Sequence, residues 1–212
     1  MSKGIDLAQY QAIIFDLGGV LLNIDYQASK RAFEKLGVAD FDMHFSQLSQ
    51  SHLFDRFETG MISSEYFREQ IKKESRIKCA EHHIDAAWNA MLLDFPIQRL
   101  ALLERLSTQL PLFLFSNTNE IHIRVFKNQL TDHGLLKRFE NCFTQIYYSY
   151  ELGMRKPHPK SFKHILELNG LDASLTLFID DSKQHIEGAK KAGLRTILLD
   201  PSIDITQLFE ND

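Results

Sequence analysis

Cysteine is scarce in this chain: Cys79 and Cys142 are the only two among 212 residues, and they stand far apart. So few thiols exclude a disulfide framework or a four-cysteine metal site, and they fit a reducing compartment. Surplus basic charge is also lacking. Lysine and arginine number 24 against 28 acidic residues, for a formal net charge of −4. No positive field is therefore available to attract nucleic acid or anionic lipid. No apolar run approaches the roughly 20 residues needed to cross a bilayer. The stretch Met1 to Tyr10 carries Asp6 and lacks the apolar segment of a secretory leader. Repeats, low-complexity tracts and Pro/Gly/Ser linkers are missing as well. The expectation is a cytoplasmic protein with a small-molecule partner, no nucleic acid and no membrane. Oligomeric state leaves no trace in the sequence.

What is present alternates. Ala12–Phe15, Leu112–Phe115, Ile146–Tyr148, Leu175–Ile179 and Thr196–Leu199 are short apolar runs rich in branched or aromatic residues, which predicts five buried strands. Between the last two lies a helical stripe (Ile186, Ala189, Ala192) closed by Gly193, and Phe162, Ile165 and Leu166 mark a helix before the fourth strand. Such alternation predicts an α/β fold, a doubly wound parallel sheet with helices on both faces. Ligands of these sheets bind beyond the carboxyl ends of the strands. From about Asp25 to Asp94 the pattern is helical throughout, with one stripe at Ala28, Ala32, Phe33 and Leu36 and another at Ile84, Ala87, Trp88, Met91 and Leu92. We read it as an inserted cap at residues 23–94, the core domain being 1–22 and 95–212. Pro96 is expected to open the helix that returns to the sheet.

The polar residues at the strand ends carry the chemistry. Asp16 follows the first strand directly and precedes Gly18 and Gly19, which places a carboxylate nucleophile beside backbone that can approach a ligand; a plain glycine turn fits equally. Ser116-Asn117-Thr118-Asn119 ends the second strand just before a helix, as an anion site or as an ordinary N-cap. Lys156, held by Pro157, would neutralise a phosphate oxygen or lie in a solvated basic turn. Asp180 and Asp181 end the fourth strand together, and adjacent carboxylates at a buried terminus call for a cation of the magnesium type.

Taken together, these segments resemble the haloacid dehalogenase superfamily. Phe15-Asp16-Leu17-Gly18-Gly19-Val20 looks like its first motif, Phe115-Ser116-Asn117 its second, Arg155-Lys156-Pro157 its third and Ile179-Asp180-Asp181 its fourth. The branch it is most similar to is that of small-cap phosphatases, including bacterial sugar-1-phosphate phosphatases and epoxide-hydrolase-like phosphatase domains. The resemblance implies strand order 5-4-1-2-3 and a magnesium-dependent phosphatase. In it, Asp16 attacks phosphorus to form an aspartyl-phosphate that water then hydrolyses. It also implies a metal held by Asp16, the Gly18 carbonyl and Asp181, with Asp180 reaching the metal through water or holding Lys156. Ser116 and the Asn117 amide would bind the phosphoryl group, and Arg56 and Glu58 of the cap would contact the rest of the substrate.

One position departs from that pattern. Phosphatases of the superfamily usually carry a second Asp two residues after the nucleophile; here it is Gly18. General acid–base catalysis contributes roughly 10²–10⁴-fold, so the loss has to be met. A good leaving group would meet it, which favours a sugar 1-phosphate, or a substitute such as Asp25, Glu58 or His122 would. His185 stands where the branch commonly has Asn. A 2-haloacid dehalogenase also lacks the second Asp but needs no metal, against which Asp180 and Asp181 speak. A catalytically weak binding or regulatory protein is the remaining alternative.

Overall fold

The computed structural model describes residues 5–38, 52–75 and 77–209. The first four residues of the expected core, its last three, and residues 39–51 and 76 of the expected cap lie outside the described residues. Strands β1 (Ala12–Phe15), β2 (Leu112–Ser116), β3 (Gln145–Tyr148), β4 (Thr176–Asp180) and β5 (Arg195–Leu198) form one sheet in the order β3-β2-β1-β4-β5. Every pairing is parallel. This is the expected order read from the other edge.

Alternation along the strands explains the layers. In β1, Ile13 and Phe15 point into one core with Leu112, Leu114, Leu177 and Ile179. Ala12 and Ile14 point the opposite way, to Phe113, Phe115 and Phe178. A period of two produces this two-sidedness. Helices α5 (Ile97–Ser107), α6 (Glu120–Asp132) and α7 (Leu136–Asn141) cover the first face, α9 (Pro159–Asn169) and α10 (Lys183–Ala192) the second. The short α8 (Ser149–Leu152) follows β3. Strands β1, β2 and β4 are buried along their full length, whereas β3 and β5 are partly exposed. The sequence expectation of five buried strands holds for the three central ones; the other two are edges. Pro96 sits one position earlier than expected, as the N-cap of α5.

Helices α1 (Tyr26–Lys35), α2 (His52–Glu58), α3 (Ser64–Ser75) and α4 (Glu81–Asn89) surround an aromatic cluster of their own. Phe54 stacks on Trp88 with centroids 5.0 Å apart, and Phe57 on Phe67 at 4.3 Å. Such pairs add about 0.5–1.5 kcal/mol each beyond their burial. The two chain crossings between this helical unit and the sheet run side by side. Asp25 N donates to Met91 O at 2.9 Å, Leu93 N to Asn23 O at 3.0 Å and Asn23 N to Asp94 O at 3.1 Å. A second attachment runs through Trp88, whose indole N–H donates to Asn119 Oδ1 at 3.2 Å and whose ring stacks on His122.

Candidate active site

Parallel register brings the ends of β1, β2 and β4 to one edge: Phe15 lies between Leu114 and Ile179. The next residues along the chain are the polar ones. Asp16 Oδ1 accepts from the Leu17 amide at 2.7 Å and from the Lys156 ammonium at 2.7 Å. The same ammonium donates to Asp180 Oδ2 at 2.7 Å, and it lies over the rings of Phe115 and Phe178. Asp180 Oδ1 accepts from the Ser182 amide at 2.8 Å, and His185 Nδ1 is 3.0 Å from both Asp180 oxygens. Lys156 and Asp180 are wholly enclosed.

How Lys156 comes to be buried is a matter of local construction. The side chain of Asn117 forms a two-way clamp on its backbone: Nδ2 donates to the Lys156 carbonyl at 2.8 Å, and Oδ1 accepts from the Lys156 amide at 2.9 Å. Gly188 of α10 faces the Pro157 carbonyl so closely that a Cβ there would collide with it. Gly188→Ala should therefore push the Lys156 loop off the sheet, lowering both kcat and thermal stability, the latter by about 1–3 kcal/mol. Denaturant titration beside steady-state kinetics checks it, and a variant equal to wild type in both would show that the contact yields freely.

The first-motif loop is shaped by Gly19, at φ 76°. A side chain there would also run into the Asp181 carboxylate, so the glycine lets that carboxylate lie against the loop backbone. Gly19 N donates to Leu22 O at 2.9 Å, closing the loop. At Gly18 a Cβ would meet Ile24 Cγ1 at 3.3 Å. An isoleucine thus borders the space into which a side chain at position 18 would project, and the gap in the motif is filled with hydrocarbon.

The electrostatics are those of a carboxylate cluster held around the Lys156 ammonium. Burial and repulsion from Asp180 raise Asp16 well above the usual carboxylate range, against the pull of Lys156. Burial and the Asp180 charge push Asp181 up to about 6. Burial disfavours charge on Asp180 too, but Lys156 and His185 outweigh it and hold that group below its ordinary value. Burial likewise pulls the Lys156 ammonium down, and the Asp16 and Asp180 carboxylates more than offset it. Burial and the Lys156 charge lower His185. Three carboxylates against one ammonium leave negative charge that a divalent cation would neutralise, and all the carboxylate donors are hard oxygens. Among the described residues, donor atoms of Asp16, Asp180 and His185 lie within 4.8 Å of one another.

Of the other expected residues, Ser116 is buried at the end of β2. Glu58 is buried at the end of α2, 3.0 Å from Arg155 Nη2, and Asp55 also pairs with Arg155. Arg56 is exposed and stacks over the Tyr66 ring at 5.7 Å, so it is not brought to the cluster. Asp25 caps α1 and binds Arg31 at 2.7 Å, and that bond holds it below the carboxylate range. Burial drives His122 down to about 3, leaving it neutral, with its Nδ1 3.0 Å from Asn89 Oδ1. Neither is placed as a proton donor. Sequence reasoning missed the Arg155 bridge to α2 and the hydroxyl of Ser149, which accepts from the Thr118 amide at 2.9 Å. Arg155 lies within the third motif beside Lys156, where the sequence alone does not show its partners; nothing in the sequence marks Ser149.

Residues 13–199 match the haloacid dehalogenase-like hydrolase family, and the chain belongs to that family. It is 29% identical to a D-ribitol-5-phosphate phosphatase of Bacteroides thetaiotaomicron over 185 residues, which is 87% of this chain and 89% of that protein. A HAD family enzyme of the same organism, solved as the wild-type protein with magnesium and inorganic phosphate, superposes with a TM-score of 0.84 at 35% identity. The match covers 95% of this chain and all of that one. A HAD-like hydrolase of Porphyromonas gingivalis superposes at 0.82 with 27% identity, covering 94% and 98%. No helix among the described residues is long and apolar enough to cross a membrane.

Proposed function

We propose that this chain is a magnesium-dependent phosphatase of small sugar or polyol phosphates, using Asp16 as nucleophile. The observation that carries the reading is the enclosed Asp16–Lys156–Asp180 cluster at the meeting of three strand ends. Asp16 Oδ1 is oriented by the Leu17 amide, which leaves Oδ2 to attack phosphorus. The attack breaks the ester bond, the alkoxide leaves with the former substrate carbon, and the phosphoryl group stays on Asp16 until water hydrolyses it. Lys156, Ser116 and the Asn117 amide supply positive charge and donors to the transferring oxygens. The metal's ligands would be Asp16, the Gly18 carbonyl and Asp181, with Asp180 keeping Lys156 in place. Bound there, magnesium offsets the repulsion between the carboxylates and the phosphate dianion. Helices α1–α4 serve as the cap.

The relatives' substrates and the metal in the Bacteroides structure support the class. Gly18 leaves the leaving group unprotonated by the usual residue, which favours 1-phosphates; the Bacteroides relative, a 5-phosphate phosphatase by name, favours a terminal ester. A phosphate-release screen of 1-, 5- and 6-phosphates, with magnesium and with EDTA, tests both. Release should require the metal and vanish with EDTA. Metal-independent release of halide from 2-haloacids would replace the assignment by that of a dehalogenase. A preference for 5- or 6-phosphates would remove the leaving-group argument alone.

A further inference from the structure

One cation lies among the leucines on the buried side of α5. Arg99 is only 9% exposed and is buried along with Leu100, Leu103 and Leu106 of the same helix. Arginine is rarely buried unless its charge and donors are met. Here the planar guanidinium is used in two directions at once. Nε and Nη2 donate to Asp204 Oδ2 at 3.1 and 2.9 Å, and Nη1 donates to the Leu21 carbonyl at 3.1 Å. Asp204 is fixed in turn. Its Oδ1 accepts from the Thr206 amide at 3.0 Å and from the Thr206 hydroxyl at 2.8 Å, at the start of the short 3-10 helix Ile205–Phe209. Ile205 and Phe209 bury their side chains in the core on the α5 side of the sheet.

Leu21 belongs to the loop that carries the nucleophile. Its amide donates to the Leu17 carbonyl at 2.8 Å, as does the amide of Leu22, and the Leu17 amide donates to Asp16 Oδ1 at 2.7 Å. An unbroken run of hydrogen bonds therefore leads from the Asp204 carboxylate through Arg99, Leu21 and Leu17 to Asp16. The loop cannot supply this anchor from its own side chains. Leu17, Val20, Leu21 and Leu22 are apolar, and Gly18 and Gly19 have no side chain to offer. Leu21 is fully buried, so its carbonyl needs a donor from within the protein. Neutralising Arg99 would not demand this aim. The pairing with Asp204 already does so, yet Nη1 is turned away from that carboxylate and onto the loop.

We propose that Arg99 is a positioning residue for the reaction at Asp16: anchored by Asp204, it holds the Leu21 carbonyl so that the Leu17 amide keeps Asp16 Oδ1 oriented and Oδ2 free to attack. Arg99 acts through the loop and touches no reacting atom. The role rests on the phosphatase reading of Asp16, and it ties the C-terminal segment to catalysis as the support for Arg99. Arginine is suited to it because its fork serves a carboxylate and a carbonyl in fixed directions; a lysine ammonium would keep the charge and lose the fork.

The test takes Arg99→Met, Arg99→Lys and a control, Arg105→Met, each assayed well below its own Tm with saturating magnesium. Arg105 ties the same C-terminal segment to the same helix, through Nη2 to Phe209 O at 2.9 Å, by a bond that bypasses the nucleophile loop. The substrate is whichever ester of the phosphate-release screen the wild type hydrolyses fastest. In Arg99→Met kcat/KM should fall by about 10–100-fold, the scale of a small misplacement of a reacting group, and in Arg99→Lys by less. The inhibition constant of inorganic phosphate should stay near wild type in both, because Ser116, Asn117 and Lys156 are untouched. Arg105→Met should lose stability and keep its kcat/KM. Asp204→Asn keeps an oxygen for Thr206 and weakens the hold on Arg99, so it should follow Arg99→Lys, and it decides the question if neither Arg99 variant folds. Variants of Arg99 that lose Tm but keep wild-type kcat/KM would make the arginine a clip for the C-terminus and overturn the proposal. An equal loss of kcat/KM in Arg105→Met would overturn it as well, as would a loss matched by weaker phosphate binding; each leaves the phosphatase reading standing. A wild type that releases phosphate from no ester at all overturns both.

Discussion

Asp16→Asn should abolish phosphate release, with a fall of about 10⁴-fold or more, while leaving the fold as stable as before in EDTA or more so. The two halves of this expectation have one cause. Asp16 is buried within reach of the charges of Asp180 and Asp181, and burial and repulsion together raise its carboxyl well above the usual range. The anionic form that attacks phosphorus is the form the fold holds at a cost. Asparagine removes the charge and retains an oxygen for the Leu17 amide and the Lys156 ammonium, both now at 2.7 Å. An amide oxygen is a poor nucleophile and a weaker magnesium ligand, so turnover goes and metal affinity falls. A cation that binds the native state raises its stability in proportion to RT ln(1 + [L]/Kd). The increase in Tm produced by added magnesium should therefore be smaller in Asp16→Asn than in wild type. Phosphate release and thermal melts with and without magnesium check the three parts. Full activity in Asp16→Asn would remove the nucleophile. A large loss of stability in EDTA would show that the carboxylate supports the fold rather than straining it.

How legible this site was depends on the kind of contact. Asp16, Ser116 and Asp180 each follow or end an apolar run, and a parallel sheet gathers strand ends at one edge whatever the loops do; for these three, position in sequence was sufficient. Lys156 stands in a loop beyond β3, and its place depends on the Asn117 clamp. The central strands were legible because residues facing opposite cores are all apolar, so β1, β2 and β4 read as unbroken runs. The edge strands β3 and β5 are half-exposed, and their burial was overstated because short branched runs look alike at the centre and at the margin of a sheet. Asn117 was expected to act through its backbone amide; its side chain in fact clamps Lys156, 39 residues away. Contacts that depend on where the helical unit sits were not legible at all. Arg155 meeting Asp55 and Glu58 spans about 100 residues, and no periodicity encodes such a meeting. The same holds for Arg56, which the sequence placed beside Glu58 as a substrate contact. On a helix, neighbouring residues point in different directions, and Arg56 turns to Tyr66 while Glu58 turns inward.

Lys156→Met is the second large effect, and its pH dependence separates charge from packing. Methionine fills much of the same space and is at home beside Phe115 and Phe178. What it lacks is the ammonium that lies 2.7 Å from both Asp16 and Asp180. Removing one partner of a buried ion pair costs about 3–5 kcal/mol, because the remaining charges stay buried and uncompensated. In wild type, Lys156 and His185 hold Asp180 below its ordinary value of 3.8. That pairing contributes stability above the unfolded pKa, lost as pH falls through the folded one. In Lys156→Met the sign reverses for Asp180, and Asp16, already raised in the wild type, loses the pull that opposed its rise: without the ammonium the two carboxylates repel each other, and both folded pKa values lie above the unfolded ones. The folded chain then holds protons that the unfolded chain releases, so its stability falls as pH rises from about 4 toward neutrality. Denaturant titrations near pH 4 and near pH 7 should show a small difference from wild type at the first and the full difference at the second. Magnesium should restore part of the stability at neutral pH by replacing the missing positive charge. It should restore little activity, because a donor to the transferring phosphoryl group is worth roughly 10²–10³ in kcat and the metal does not occupy its place. An equal loss of stability at both pH values would mean that the lysine is held for its packing, and the electrostatic account of the cluster would fail.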